Sequence, residues 1–151
     1  LPAGERFTAV AAGWCHTVAL TSEGRLLGWG SDNHGQASRV PSLPAGERFA
    51  AVAAGALHTV ALTSEGRLLG WGSDNHGEVS RVPSLPAGER FAAVAAGNHR
   101  TVPLTSEGRL VGRGRDDDGQ ASRVPSLPAG ERFAAVAAGA CHTVALTSEG
   151  R

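Results

Sequence analysis

The chain has 151 residues, a formal net charge of zero and only arginine among its 14 basic residues. Its length suits about one domain. No basic or acidic run dominates, and no apolar stretch approaches the ~18 residues that span a bilayer. These features exclude the charge pattern of a nucleic-acid or membrane-surface binder, so we predict no nucleic-acid partner and no membrane span.

A repeat organises the chain. The segment LPAGERF begins at Leu1, Leu43, Leu85 and Leu127, a period of 42 residues. Periods of 20–50 residues are typical of solenoids, propellers and arrays. We interpret the chain as a single repeat domain over residues 1–151. Its units are residues 1–42, 43–84, 85–126 and a partial unit, 127–151.

Four short segments alternate with turns in each unit. In the second unit, the turn LPAGE precedes FAAVAAG, and HTVALT follows with the period-two pattern of a strand. After the turn SEGR comes RLLGWG, with Leu69 and Trp71 on one face. A weaker fourth strand is predicted around SRVPSLP, where prolines favour a sheet edge. Four strands of about five residues per unit predict an all-β fold, a β-propeller built from four-stranded blades.

A helical interpretation of FAAVAAGALHTVAL is the alternative, because alanine favours helix. Gly55 lies in the middle of this stretch, however, and the following Thr-Val pair prefers a strand. A helix–strand solenoid therefore stays open as the second prediction.

The loop GWGSDNHGQ, residues 28–36, combines glycines with polar side chains. Gln36 stands where a phosphate-binding loop requires lysine, and the loop lacks the alternating ligands and terminal glutamate of a Ca²⁺ loop. We predict a turn in which Asp32 and Asn33 bond local backbone groups and Gly35 adopts a positive φ.

Several recurring features resemble the regulator-of-chromosome-condensation repeat family of β-propellers. These are Gly13 with His16 three residues later, the ALTSEG turn, the Trp29–Gly30 pair, and Asn33 before Gly35–Gln36. The short unit is similar to compact versions in bacterial β-lactamase inhibitors and repetitive microbial proteins. Ala37–Ser38 stands where the longer family version usually has Leu-Gly.

This resemblance implies a protein-binding scaffold, a non-enzymatic role without a cofactor. Some family members are guanine-nucleotide exchange factors and one group inhibits β-lactamases, so regulation or inhibition of an enzyme is the alternative. Exchange activity depends on an inserted wedge, which this regular array lacks. The family's repeated residues are expected to build the blades; in this chain they are Gly13, His16, Trp29, Gly35, Gly55, His58, Trp71, Gly77 and His142.

The predicted strands do not complete a ring. The first two strand segments occur four times and the last two only three times, and the chain has no initiator Met. An unbalanced array exposes strand edges and apolar blade faces. We therefore expect this chain to form an incomplete ring of about three and a half blades. It is either a segment of a longer array or a ring completed by further blades from the same or another chain.

The histidines and cysteines are the remaining candidates for chemistry. His16, His58 and His142 share one repeat position, which favours structural hydrogen bonding over catalysis. Cys15–His16 and Cys141–His142 form a zinc site only if the two ends of the array meet. A Cys/His metal-binding protein is thus the second alternative, while the sequence predicts neither a metal site nor catalytic residues.

The third unit departs from the others. Pro103 replaces an alanine and removes a backbone donor from a strand. Arg100 replaces a histidine and Arg113 replaces a tryptophan. The turn RDDDGQ, which begins with Arg115, Asp116, Asp117 and Asp118, replaces SDNHGQ. One interpretation is a decaying copy; the other is a charged contact patch for a protein partner.

Overall fold

The computed structural model describes all residues, 1–151, and contains eleven β-strands and no helix. The strands are β1 Phe7–Ala12, β2 His16–Thr21, β3 Leu26–Gly30, β4 Phe49–Ala54, β5 His58–Thr63, β6 Leu68–Gly72, β7 Phe91–Gly97, β8 Arg100–Thr105, β9 Arg113–Gly114, β10 Phe133–Ala138 and β11 Thr143–Thr147. The all-β prediction is confirmed and the helix–strand alternative is wrong. No helix capable of crossing a membrane is found.

Each of the first three units forms a three-stranded antiparallel sheet, and the fourth unit forms a two-stranded sheet. This arrangement confirms an incomplete propeller-type ring. The predicted fourth strand around SRVPSLP does not form, since no strand lies between β3 and β4. Pro41 and Pro44 lack the N–H groups that a ladder needs.

The strands of each unit pair with their sequence neighbours through short turns. In the first unit, β1 and β2 pair from Ala9↔Leu20 to Ala12↔Thr17, with a register irregularity near Phe7. The next turn closes with a hydrogen bond of 3.0 Å from Gly24 N–H to Thr21 O. Gly24 has φ of 74°, a conformation that glycine adopts without steric cost.

Small residues allow neighbouring units to approach each other. The first strands β1, β4, β7 and β10 lie next to one another in succession, and they consist largely of alanine. A backbone bond of 2.9 Å from Phe49 N–H to Gly24 O joins the first two units directly. The same bond recurs from Phe91 to Gly66 and from Phe133 to Gly108, each at 3.0 Å.

The hydrophobic core lies between units rather than inside one sheet. The first cluster combines side chains of units one and two: Val18, Leu20, Leu26, Phe49, Ala61 and Trp71. A second, smaller cluster combines units two and three: Val60, Leu62, Leu68 and Phe91. Because each unit buries its apolar face only against a neighbour, a unit at either end keeps one face exposed.

Candidate protein-interaction surface

The loop after β3 is a turn held by its own polar side chains. Oδ1 of Asp32 accepts hydrogen bonds from Ala37 N–H at 2.8 Å and Ser38 N–H at 2.9 Å. The Ser38 hydroxyl and these N–H groups lower the pKa of Asp32. The side-chain oxygen of Gln36 accepts a bond from the N–H two residues before it. Gly35 has the predicted positive φ, 74°.

The same frame recurs in the next two units although the side chains differ. Asp74 and Asp116 each accept bonds from the N–H groups five and six residues later, at 2.8 and 2.9 Å and at 2.7 and 3.0 Å. Gly77 and Gly119 have φ of 75° and 74°. The third copy therefore retains the backbone of the turn despite its altered sequence.

Residues 115–118, here called the charged turn, present this altered sequence to solvent. Arg115 and Asp117 form an exposed ion pair of 2.5 Å, and Asp118 is also exposed. Asp116 is occupied in the turn frame. Arg113 lies beside the charged turn on β9, half-buried, and donates a bond of 2.7 Å to Gly112 O. Three of the predicted contact residues thus reach solvent together.

The prediction that Arg100 belongs to an exposed contact patch is wrong. Its side chain is buried, with 2% exposure. Its guanidinium donates hydrogen bonds to the carbonyl oxygens of Gly139 at 2.7 Å, Ala140 at 2.8 Å and His142. Burial lowers the pKa of Arg100. The arginine is enclosed between units three and four, so it is not part of an exposed patch.

In each of the first two units, a histidine occupies the repeat position of Arg100 and connects its unit to the next one. His16 Nε2 lies 3.0 Å from Thr59 Oγ1, and this hydroxyl donates to Gln36 O at 2.7 Å. His58 lies 3.3 Å from the next such threonine, Thr101. Burial lowers the pKa of His16, and it lowers that of His58 to about 4. His142 in the fourth unit is exposed.

The glycine three residues before each histidine is required by close packing. A Cβ on Gly13 would lie 2.3 Å from both the His16 ring and Gly55 O. A Cβ on Gly55 would lie 2.0 Å from the His58 ring. Since real Cβ atoms do not approach so closely, the spacing of glycine and histidine in the repeat has a steric reason.

The repeat position of Trp29 has a different environment in each unit. Trp29 is 50% exposed in the first unit, whereas Trp71 is 5% exposed in the second and donates an N–H bond of 3.0 Å to Gln36 O. Arg113 occupies the position in the third unit. The fourth unit has no β-strand after β11, and a cavity of about 470 Å³ lies beside Phe133.

Pro103 lies in the middle strand of the third sheet, whose last strand is short. β7 and β8 retain their register through Val94↔Pro103. β9 contains only Arg113–Gly114, whereas its counterpart β6 has five residues. A proline in β8 removes one donor from the β8–β9 ladder, which explains the shortened strand.

Glu78 is a candidate residue that the sequence analysis missed. It stands at the repeat position of Gln36, and its side chain is fully buried. One carboxylate oxygen accepts a bond of 2.7 Å from His76 N–H; the other has no hydrogen-bond partner and lies 4.0 Å from His99 Nδ1. The rings of His76 and His99 lie with their centroids 5.1 Å apart, tilted by 56°. The replacement of glutamine by glutamate was the available signal.

The proposed Cys/His site has no counterpart in this geometry. Cys15 and Cys141 are both free and exposed. No group of three or more His, Cys, Asp or Glu side chains is placed to hold a metal ion. The zinc alternative needed the two Cys-His pairs to meet, and they do not form such a cluster.

Comparison with known proteins finds a repeat family that part of the chain resembles. Residues 7–36 and 49–78 match the model of the Regulator of chromosome condensation (RCC1) repeat. No curated protein matches the chain. Several solved structures do: yeast RCC1 (Prp20) bound to Kap60, Prp20p from Saccharomyces cerevisiae, whose structure was described with its binding to Gsp1p and histones, and human WBSCR16.

These similarities concern the fold. The two yeast structures share 23% sequence identity with the chain at a TM-score of 0.77, and the human structure 22% at 0.76. The matches cover 97% of this chain but 42%, 44% and 46% of the respective structures. The chain thus spans less than half of the length of these relatives. It therefore folds as an incomplete β-propeller similar to these structures, and its first two units match the RCC1 repeat.

Proposed function

We propose that the chain is a non-enzymatic protein-interaction scaffold that contacts its partner through the charged turn and the adjacent Arg113. The observation that supports this proposal is the invariance of the turn frame. Three turns share one backbone geometry, while the side chains they display change from Ser31, Asn33 and His34 to Arg115, Asp117 and Asp118. A rigid frame with variable exposed residues is the usual arrangement of a binding loop.

The charge of this turn defines the class of partner surface. One arginine and three aspartates occupy residues 115–118, so the turn has an excess of negative charge. A partner surface with complementary basic groups is expected to bind, and complementary charge mainly accelerates association and excludes wrong partners. Binding should weaken as salt rises, because exposed charges are screened.

The test uses the purified chain as bait in an extract of its native source, followed by quantitative mass spectrometry. The recovered partner is then titrated against the wild type and against Arg115→Ser combined with Asp117→Asn. These changes restore the residues of the first unit without altering the Asp116 frame. We expect at least about tenfold weaker binding and a smaller salt dependence.

A matched control changes Asn33→Ala and His34→Ala in the first turn, where binding should be unaffected. Arg113→Trp restores the residue of the other units and should also weaken binding. Equal affinity of the charged-turn variant and the wild type would refute this contact surface.

Regulation of an enzyme is a second proposal. It is favoured by the fold shared with yeast Prp20p, whose structure was described with its binding to Gsp1p and histones. Nucleotide release from a small GTPase and inhibition of a β-lactamase are the two assays. A change in either rate on addition of the chain would support regulation, and unchanged rates in both would remove this proposal.

A further inference from the structure

Residues that depart from the repeat come together at one cavity of about 220 Å³, here called the loop-face cavity. Six of its nine lining residues differ from the residues at the same repeat position in every other unit. These six are Trp14, Asn98, His99, Arg100, Arg115 and Asp118. Since the units are otherwise nearly identical, this concentration of unmatched residues marks the cavity as a candidate binding site.

The strand order explains why these residues meet. Trp14 lies in the loop between β1 and β2, and Asn98 and His99 form the loop between β7 and β8. Because β8 and β9 are antiparallel, the charged turn after β9 returns to the end of the sheet at which the β7–β8 loop lies. The rings of Trp14 and His99 have centroids 6.4 Å apart. Units one and three therefore contribute to the same loop face.

The two arginines of the lining are already engaged. The guanidinium of Arg100 donates hydrogen bonds to three carbonyl oxygens of the fourth unit. Nε of Arg115 donates to the carboxylate of Asp117 at 2.5 Å. The carboxylate of Asp118, by contrast, is exposed and forms no ion pair. The uncompensated charge at the cavity is therefore negative.

A buried carboxylate adds to this negative charge. Glu78 is fully buried beneath His99, and its Oε1 has no hydrogen-bond partner and lies 4.0 Å from His99 Nδ1. Units one and three have glutamine at this repeat position, Gln36 and Gln120. Because buried charges are screened less than exposed ones, the Glu78 carboxylate contributes to the potential in the cavity.

Trp14 supplies an aromatic surface to the same cavity. Its side chain is 65% exposed, and the His99 ring meets it at 68° instead of stacking on it. The face of an indole attracts a cation, and it does so more strongly than the faces of other aromatic side chains. An indole beside a free carboxylate suits a guanidinium, which stacks on aromatic rings and donates planar hydrogen bonds to carboxylates.

We propose that the loop-face cavity binds an arginine side chain of the protein partner. The guanidinium stacks on Trp14 and donates hydrogen bonds to the Asp118 carboxylate. The volume of about 220 Å³ suits a single side chain, since it is smaller than the roughly 300–1,000 Å³ of pockets for drug-sized molecules. This inference rests on the proposed scaffold function and names the partner group that is recognised beside the charged turn.

Short blocked peptides test this recognition without the partner. The probe is the pentapeptide GGRGG, and the control replaces its arginine by citrulline, which has nearly the same shape without the charge. A third peptide, GGEGG, tests for an anion site, because Arg100 and Arg115 also line the cavity. Binding to the intact chain is followed through its indole and amide NMR signals. We expect shifts at Trp14, His99 and Asp118, and at least about fivefold weaker binding of the citrulline peptide.

Trp14→Ala, Asp118→Asn and Glu78→Gln are the corresponding changes in the protein. Trp14 and Asp118 are exposed, and Glu78→Gln restores the residue of units one and three. Circular dichroism verifies that each variant is folded. We expect the first two changes to weaken binding of the arginine peptide about two- to fivefold each, and Glu78→Gln to weaken it by a smaller factor. Trp29→Ala and Glu23→Gln, outside the cavity, are controls and should bind like the wild type.

Equal binding of the arginine and citrulline peptides, tighter binding of the glutamate peptide, or no shift at Trp14 would overturn the proposal. Its failure is distinguishable from that of the proposed function. If the Arg115→Ser, Asp117→Asn variant retains full affinity for the partner while the arginine peptide binds as expected, the proposed contact surface fails and the arginine site is supported. If that variant loses affinity for the partner while Trp14→Ala retains it, the arginine site is refuted and the contact surface is supported.

Discussion

The interface between units one and two and the interface between units three and four have the same apolar walls but different contents. In the first, Trp71 is 5% exposed and completes a cluster with Phe49 and Leu26. In the other, the equivalent walls surround about 470 Å³ of open space. The burial of equivalent residues differs accordingly. Val18 is fully buried, whereas Val144 at the same repeat position is 59% exposed.

This difference shows that each unit is stabilised by packing against its neighbour. Identical segments are buried or exposed according to whether the next strand and the next unit are present, as nearest-neighbour coupling in repeat proteins requires. The third strand contributes the largest side chain, Trp71, and the first strand contributes Phe49, while the other residues of the first two strands are mostly alanine, valine and threonine. The interface therefore depends on one tryptophan more than on the rest of its strand.

The largest effect is expected from emptying the filled interface. Trp71→Ala removes the indole from the first cluster and creates there the kind of cavity found at the fourth unit. We expect a loss of about 3–5 kcal/mol in the free energy of unfolding, measured by denaturant titration. Trp29→Ala is the matched control, because the same side chain is half exposed in the first unit, and it should cost about 1 kcal/mol or less. Equal costs at the two positions would contradict the comparison.

Acidification should weaken the filled interfaces next. Burial lowers the pKa of His58 to about 4 from its ordinary value of 6.5. The charges of His16 and His99 lower this pKa further, whereas a backbone hydrogen bond at Arg100 and the charge of Asp74 raise it. Between these pH values the unfolded chain binds a proton that the folded chain does not, so stability falls as pH falls. The loss is about 3 kcal/mol, and it is complete once the pH is below the folded value.

Denaturant titrations between pH 7 and pH 4 measure this loss. His58→Gln should reduce the slope of stability against pH, whatever its effect on stability at neutral pH. His34→Gln, in an exposed turn, is the control and should retain the wild-type slope. A wild-type slope in the His58→Gln variant would show that another group is responsible.

The smallest of the three effects concerns the partly open interface. Arg100→Ala removes the side-chain donor to the carbonyl oxygens of Gly139 and Ala140 and one of the two donors to His142 O, which should cost about 2 kcal/mol. The loss should appear as faster hydrogen exchange in β10 and β11, while β1 to β6 retain their protection. Arg115→Ala, at an exposed position, should change the free energy of unfolding by less than about 0.5 kcal/mol. If hydrogen exchange in the variant were accelerated equally in all strands, a local role for Arg100 would be contradicted.

Prediction from sequence succeeded where the signal was local or periodic. The alternation in HTVALT, and in its third copy RTVPLT, predicts β2, β5, β8 and β11. Gly35 has the predicted positive φ. It failed at SRVPSLP, where prolines exclude a ladder, and at Arg100. A charged residue at a repeat position gives no sign of which neighbour encloses it, because the carbonyl oxygens it binds belong to the following unit.

The sequence by itself determined the unit, its strands and its turns, because these depend on residue spacing, β-propensity and the freedom of glycine at positive φ. The tertiary structure alone decided which copy of a repeated residue is buried. Trp29 and Trp71 have identical local sequences, and so do Val18 and Val144 within their strands. Burial depends on the unit that packs against each residue, and that contact lies about one full period away along the chain.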